Sequence, residues 1–147
     1  MGVVVERECS APVADLWRVA TDWAQHGRFF PLTTMEVPAG QPGLGQRFEA
    51  TTRLGPVRFR DPMVVTRWDP PGESGRCELR KVGRVLGGST TLSVEPSMHG
   101  SRLRWTTDVG PANPLARRVL APLTRLTAAP LYRHVVRSIV REAEHDR

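Results

Sequence analysis

Residue 61 is an acid in a segment whose pattern is typical of a half-buried β-strand. In RFRDPMVV, residues 58–65, and at the valine before it, apolar side chains fall at positions 57, 59, 63 and 65. Side chains two residues apart on a strand share a face, so this alternation places Asp61 on the apolar face. Burial disfavours the charged form of a carboxyl group, so Asp61 is a candidate general acid or base for enolisation or dehydration.

Two other interpretations of Asp61 stay open. Pro62 cannot donate a hydrogen bond to a neighbouring strand, and such a proline often marks a sheet edge or a bulge. At a strand disturbed in this way, Asp61 could pair with an arginine or with backbone N–H groups. Alternatively, the bulge could turn Asp61 outward to solvent.

Two further side chains could move protons. His26 follows the first predicted helix in DWAQHGRFF, and a histidine titrates near neutral pH; the alternative is an exposed loop histidine. Tyr132 and His134 lie on the last predicted helix, after Pro130. Tyr132 is closer to the side of Leu131 and is the preferred candidate, with a structural phenol as the alternative.

The sequence contains no motif for a catalytic triad, a phosphate-binding loop or a metal site. Asp22 and His26 are four residues apart, but no third residue completes a triad, and LGGST has neither the length nor the lysine of a phosphate-binding loop. Cys9 and Cys77 are far apart, without a CxxC pair or a histidine-rich segment, so we expect two buried free thiols. The sequence therefore predicts no metal site and no cofactor.

The composition is that of a globular protein, with 39% hydrophobic and 24% charged residues in 147. This length predicts a single domain, residues 1–147. No apolar run approaches the ~18 residues needed to cross a bilayer, so we expect no stable membrane insertion. The first ten residues lack the pattern of a signal peptide, which predicts a cytoplasmic location. The sequence is compatible with a monomer or a homodimer.

The elements that position these residues begin with a short valine-rich strand at residues 3–5. A helix then follows, with Ser10 near its start and Pro12 in its first turn, and with Val13, Leu16, Trp17 and Ala20 on one buried stripe. The helix is predicted to end near Trp23. One further short helical turn fits before Gly27 and Pro31 interrupt it.

From residue 33 to residue 109 the apolar pattern has a period of two. Clusters of glycine, proline and other turn residues divide this region into six predicted strands, most of them joined by short hairpins. With the first strand this predicts a seven-stranded antiparallel sheet. The six strands are residues 33–37, 46–54, 57–68, 76–82, 85–95 and 102–109.

A long helix is predicted after the last strand. Asn113 can cap it and Pro114 suits its first position, and apolar residues continue at helical spacing to Ile139. Pro122 and Pro130 fall inside this pattern, and each is expected to bend the axis because it lacks an N–H and clashes with the preceding turn.

This order of elements resembles the START-like (SRPBCC) superfamily, whose α+β helix-grip fold wraps a curved antiparallel sheet around a long C-terminal helix. The resemblance rests on CSAPVADLWRVATDWAQHGRFFP, VVTRWDPPGESGRCEL and GSTTLSVEPSMHGSRLRWTTDVG. Together these segments are similar to the bacterial polyketide cyclase/dehydrase branch. The resemblance implies two short helices after the first strand and a cavity for apolar ligands between sheet and helix. Fold alone does not fix function.

If the apolar side of the strand at residues 57–65 faces inward, the alternation along the other strands predicts which of their side chains also face inward. The inner wall is then mostly apolar, with a few polar groups such as Asp61 and Lys81, as in many small-molecule sites. Filling of the core without a cavity is the alternative. The predicted ligand-binding residues are Phe48, Phe59, Met63, Leu79, Leu92, Trp105, Leu123, Leu126, Thr127 and Leu131.

Three functions follow from this interpretation. The first is binding of a hydrophobic or aromatic small molecule that is polyketide-, lipid- or quinone-like. The second is a polyketide aromatase/cyclase-type enzyme in which Asp61, His26 or Tyr132 moves protons. The third is an interaction module that docks anionic partners through an arginine-rich outer sheet face.

The outer face gives only limited support to the third function. It combines arginines such as Arg58, Arg60, Arg102 and Arg104 with acids, in a chain of net charge +6. Sheets that bind nucleic acid also expose aromatic rings on which bases stack, and Trp68 is the only outward candidate. We therefore expect no nucleic-acid partner.

Overall fold

The structure, a computed structural model, describes residues 2–145. Within these residues, seven strands form one antiparallel sheet in the order β1-β7-β6-β5-β4-β3-β2. The predicted number of strands and their antiparallel pairing are confirmed. The strands are β1 (Val3–Cys9), β2 (Thr33–Glu36), β3 (Arg47–Leu54), β4 (Val57–Asp69), β5 (Gly75–Val82), β6 (Leu86–Ser97) and β7 (Gly100–Pro111).

Two short helices follow β1, as predicted: α1 (Val13–Ala20) and a 3₁₀ helix (Trp23–Arg28). The buried side chains of α1 are Leu16, Trp17, Val19 and Ala20, which form the apolar stripe that the sequence pattern favours. The helix starts later than predicted, because Pro12 was expected in its first turn. Pro12 stands at the N-cap itself, with an extended backbone, and the helix begins at the next residue.

The C-terminal helix is divided into α2 (Pro114–Val119) and α3 (Ala121–His145). Asn113 caps α2 as predicted, since its side chain accepts hydrogen bonds from the backbone N–H groups of Leu115 and Ala116. The break at Leu120 corrects the prediction for Pro122. This proline lies in the first turn of α3, where a missing N–H costs no helical hydrogen bond. Pro130 lies inside α3 as expected.

The main core lies between the sheet and the second half of α3. The buried residues of this helix all follow Pro130, namely Tyr132, Val135, Val136, Ile139, Val140 and Ala143. They pack with α1 and with β1 and β7. The helix thereby covers one end of the curved sheet, while the other end stays open enough to hold a cavity.

The one irregularity in the β4–β5 ladder lies between Val65 and Arg67, whereas the sequence suggested a bulge at Pro62. Pro62 keeps its place opposite Glu49 on β3. The shift after Val65 reverses the alternation, because it turns Trp68 toward the core, where its ring centroid lies 5.1 Å from that of Trp17. Trp68 is therefore not the outward aromatic residue that strict alternation predicted.

Candidate functional site

A cavity of about 230 Å³ lies between the inner face of the sheet, the 3₁₀ helix and α3. Strands β2 to β7 all contribute to its wall, which is largely apolar and aromatic. The polar side chains on the wall are Thr33, Thr52 and Thr90, together with His26, Asp61, Lys81 and Tyr132. The arrangement of a few polar groups in an apolar enclosure is typical of sites for small organic molecules.

The structure brings all three predicted acid–base residues to this cavity. His26 comes from the 3₁₀ helix, Asp61 from β4 and Tyr132 from α3, and each is at least nine-tenths buried. The alternative of an exposed loop histidine is wrong for His26. The preference for Tyr132 over His134 agrees with the structure, since His134 is exposed.

Six of the ten residues predicted to bind a ligand also line the cavity. They are Phe48, Phe59, Met63, Leu79, Trp105 and Leu131. The inward phase predicted for β3, β4, β5 and β7 is therefore the observed one over this part of the sheet. That these side chains contact a ligand stays a prediction.

The other four residues correct the predicted position of the site. Leu92 faces inward but is completely buried in the core. Leu123 and Leu126 are exposed by 57% and 75%, and the Thr127 hydroxyl donates to the Leu123 carbonyl oxygen at 3.0 Å. The helical period was correct, but the first half of α3 extends past the core, so its apolar stripe faces solvent.

Asp61 forms a buried ion pair with Lys81 of β5. The Lys81 Nζ donates to Asp61 Oδ2 and lies 3.9 Å from the sulfur of Met63. The side chains of Lys81 and Asp61 are only 11% and 8% exposed. Asp61 thus pairs with a cation, as one interpretation proposed, but the partner is a lysine instead of an arginine. The solvent-facing interpretation is wrong.

The second carboxylate oxygen of Asp61 is left without a partner. Asp61 Oδ1 is buried and has no hydrogen-bond partner among residues 2–145, and the same is true of the indole Nε1 of Trp105. Both residues line the cavity. Since most buried polar atoms in proteins are paired, an unpaired acceptor and an unpaired donor on two cavity-lining residues are an uncommon feature of this wall.

His26 is held in one tautomer by the backbone. Its Nε2 lies 2.8 Å from the Ala20 carbonyl oxygen, which can only accept, so Nε2 carries the proton and Nδ1 is the acceptor. Burial lowers the pKa of His26 to about 4, although its hydrogen bond to Ala20 acts in the opposite direction. At neutral pH His26 is therefore a neutral imidazole that can accept a proton at Nδ1.

Aromatic rings form much of the wall around His26. The centroid of the His26 ring lies 6.1 Å from that of Phe30 and 6.2 Å from that of Trp105. The ring centroids of Tyr132 and Trp105 are 5.8 Å apart. Burial raises the pKa of Tyr132, and a hydrogen bond with Thr107 only partly opposes this. The Tyr132 phenol is consequently a neutral group that can donate or accept a hydrogen bond.

Sequence reasoning missed some of the wall. Phe30, Pro31 and Met35 line the cavity but belong to the segment after the 3₁₀ helix, where neither a helical nor a strand period is long enough to assign a face. The FFP triplet beside His26 was the available signal. Lys81 was predicted to face inward, but its contact with Asp61 could not be found from spacing because the residues lie on different strands.

The arginines of the outer sheet face are partly engaged in ion pairs. Arg102 contacts Glu8 and Glu95 at 2.7 and 3.0 Å, and Arg104 lies 3.5 Å from Glu6. These pairs are exposed and contribute little to stability. They do neutralise part of the basic surface that the docking hypothesis requires.

The described residues hold neither a candidate metal cluster nor a candidate membrane-spanning helix. Within residues 2–145, no three His, Cys, Asp or Glu side chains form a group able to hold a metal ion. No helix in the described part of the chain is both long and apolar enough to span a membrane. Cys9 and Cys77 are buried thiols, as predicted, and burial raises the pKa of the Cys77 thiol to about 12.

Comparisons with known proteins agree with this architecture. The family model described as polyketide cyclase/dehydrase and lipid transport matches residues 2–144. The Thermus thermophilus protein TTHA0849 has a similar structure, with a TM-score of 0.77 at 18% identity over 97% of both chains. No characterised protein gave a sequence match.

Two enzymes share the fold. The di-domain aromatase/cyclase StfQ of the steffimycin biosynthetic pathway superposes with a TM-score of 0.74 at 14% identity, over 99% of this chain and 51% of StfQ. Norcoclaurine synthase of Thalictrum flavum, a point mutant in complex with a transition-state analogue, gives 0.63 at 19% identity, over 97% of this chain and 94% of the synthase. At such low identity these likenesses establish the fold alone.

Proposed function

Because the chain belongs to the polyketide cyclase/dehydrase and lipid transport family, we propose that it binds a small hydrophobic or aromatic molecule in the cavity between sheet and α3. The chain would act as a single ligand-binding domain. The observation that carries this proposal is the cavity itself, which has an apolar, aromatic wall and few polar groups.

The dimensions of the cavity limit the ligand. Its volume of about 230 Å³ lies just below the ~300–1,000 Å³ of common ligand pockets. This favours a molecule of about one or two rings, or a short chain, over a large multicyclic compound. Stacking on Trp105 and Phe30 would orient a flat ring.

The polar atoms indicate what the ligand carries. Asp61 Oδ1 would accept a hydrogen bond from a ligand hydroxyl, and Trp105 Nε1 would donate one to a ligand oxygen. Each of these atoms is otherwise buried without a partner in the described chain, so satisfying them on binding adds both affinity and orientation. We expect an apolar ring system with at least one hydroxyl or carbonyl group.

Quenching of tryptophan fluorescence by 2-naphthol, a neutral two-ring phenol, tests the proposal. Ala50 and Thr51 provide a matched pair of variants, since Ala50 lines the cavity whereas Thr51 is opposite exposed Arg60 on the outer face. We expect Ala50→Phe to weaken binding by about tenfold or more and Thr51→Phe to change it by less than about twofold. Absence of binding to the wild-type protein, or equal affinity of both variants, would contradict the proposal.

A second candidate function is aromatase/cyclase-type catalysis. Its support is the convergence of a neutral imidazole, a carboxylate and a phenol, from His26, Asp61 and Tyr132, on one apolar enclosure. Enclosure of a flexible poly-β-ketone there would hold its reacting carbons together, and these groups would transfer the protons of enolisation and dehydration.

Turnover of a linear poly-β-ketone thioester, followed by mass spectrometry, distinguishes this enzyme from a carrier. Catalysis predicts that His26→Gln, Asp61→Asn and Tyr132→Phe lose most turnover while retaining folding. A carrier would show no turnover in any form. Full activity in all three variants would exclude the assigned roles.

The docking function receives less support. Arg102 and Arg104 are engaged with carboxylates, and Trp68, the one aromatic residue proposed for that face, packs against Trp17. A binding interaction with anionic partners that weakens steeply with salt, and is lost when Arg58 and Arg60 are neutralised, would restore this alternative.

A further inference from the structure

Lys81 is chemically unusual in this chain because it is the single lysine among the 21 lysine and arginine residues. It lies on the cavity wall, whereas the exposed positions of the same sheet, including the adjacent Arg80, use arginine. Among the lysine and arginine side chains of the described residues, the one on the cavity wall is thus the one that carries an amine, the group that forms imines with carbonyl compounds.

The surroundings of the Lys81 amine suit a covalent role. Its Nζ contacts Asp61 Oδ2 and lies beside the sulfur of Met63, with Leu79 on the same cavity wall. Desolvation in an apolar pocket is one way in which lysines that form Schiff bases are activated, and the contact with Asp61 supplies a group that can take the proton. Asp61 is also more than nine-tenths buried, and its Oδ1 has no partner within residues 2–145.

We propose that Lys81 forms an imine with a ketone or aldehyde group of a ligand bound in this cavity, and that Asp61 carries the protons of that step. This inference rests on the proposed binding function and adds to it the chemical class of the ligand, an aromatic or otherwise apolar carbonyl compound. Neither the family description nor the structural likenesses assign a reactive amine to this chain.

Lys81 and Asp61 would exchange the protons that imine formation requires. The Lys81 ammonium gives a proton to Asp61 Oδ2, and the free amine attacks the carbonyl carbon while a proton moves from nitrogen to the new alkoxide. The resulting carbinolamine loses its hydroxyl as water when Asp61 returns the proton. The products are a protonated imine, the Asp61 carboxylate beside it and one water molecule.

Reductive trapping tests the proposal with 2-naphthaldehyde as the carbonyl probe and sodium cyanoborohydride as the reductant. Reduction converts the imine to a stable secondary amine on the lysine nitrogen. Since the sequence offers only Lys81 and the N-terminal amine, peptide mass spectrometry assigns the adduct without ambiguity. Blocked tryptic cleavage after Lys81 gives an independent sign of modification at that residue.

The variant Arg80→Lys provides an internal control. It adds an exposed amine to the adjacent position of β5, which faces away from the cavity, and leaves Lys81 in place. We expect the adduct at Lys81 to form at least about tenfold faster than at position 80 in the same molecule. Excess 2-naphthol should suppress labelling of Lys81 and leave labelling of position 80 unchanged.

The possible results separate the inference from the proposed function. If 2-naphthol binds but Lys81 is labelled no faster than position 80, the imine proposal fails and small-molecule binding stands. If neither probe occupies the cavity, both proposals fail. Labelling of Lys81 that 2-naphthol does not suppress would also overturn the inference, because the reaction would then not require the cavity. In the Lys81→Arg variant, the adduct at position 81 must disappear.

Discussion

His26 Nε2 donates a hydrogen bond to the Ala20 carbonyl oxygen over 2.8 Å, which ties the 3₁₀ helix to the last turn of α1. The contact buries the imidazole among Trp23, Phe29 and Phe30. Because these apolar surroundings disfavour the charged ring, burial lowers the pKa of His26 to about 4.

This histidine should make the folded protein sensitive to mild acid. His26 binds a proton near pH 6.5 in the unfolded chain but only near pH 4 in the folded protein. Its contribution to the free energy of unfolding is therefore fully present above pH 6.5 and is lost as the pH falls toward 4. We expect a loss of about 2 kcal/mol between pH 7.5 and pH 5. Urea unfolding at both pH values measures it. In His26→Gln most of this difference should vanish, and an unchanged pH dependence in that variant would contradict the assignment.

The buried pair of Asp61 and Lys81 should be costly to break on one side only. Lys81→Met leaves the Asp61 carboxylate without a partner in apolar surroundings and should destabilise the fold by about 3 kcal/mol. The double variant Asp61→Leu/Lys81→Met removes both charges and should recover most of that loss. Equilibrium unfolding of the wild type, both single variants and the double variant completes a double-mutant cycle; additive effects would show that the two side chains do not interact.

Tyr132 can be followed without labelling because it is the only tyrosine. Burial raises the pKa of its phenol, so at the pH where an exposed tyrosine is half ionised the folded protein should show less tyrosinate absorbance than the unfolded chain. The unfolded chain releases that proton first, and stability should therefore decline as the pH rises above about 10. Ultraviolet titration of native and urea-unfolded protein compares the two states. Identical titration midpoints would place the phenol in water.

The exposed leucines of α3 should not affect the cavity. Leu123 and Leu126 are more than half exposed, so replacing either with alanine should change the free energy of unfolding by less than about 0.5 kcal/mol. The affinity of both variants for 2-naphthol should stay within about twofold of the wild-type value. Phe48→Ala, which opens the cavity wall, serves as the positive control. A large loss of affinity in Leu126→Ala would mean that α3 closes over the ligand.

The sequence predicted the sheet better than it predicted the last helix. Alternation over several residues fixes which side chains share a face, so Phe48, Asp61 and Trp105 were assigned to the inner wall correctly. One bulge was enough to reverse this assignment at Trp68. For α3, the helical period identified an apolar stripe, but no local signal shows where a helix leaves the core, and Leu123 and Leu126 were therefore assigned to the cavity in error.

The amino-acid sequence by itself determined the order of elements, the face of each regular strand and the presence of an acid on the inner wall, because these depend on interactions between residues near one another in the chain. Only the tertiary structure decided that Asp61 meets Lys81 and that His26 is buried against Ala20 as a neutral ring. These properties depend on the register between β4 and β5 and on how the 3₁₀ helix packs. Desolvation and charge pairing are set by neighbours in space, so spacing along the chain cannot reveal them.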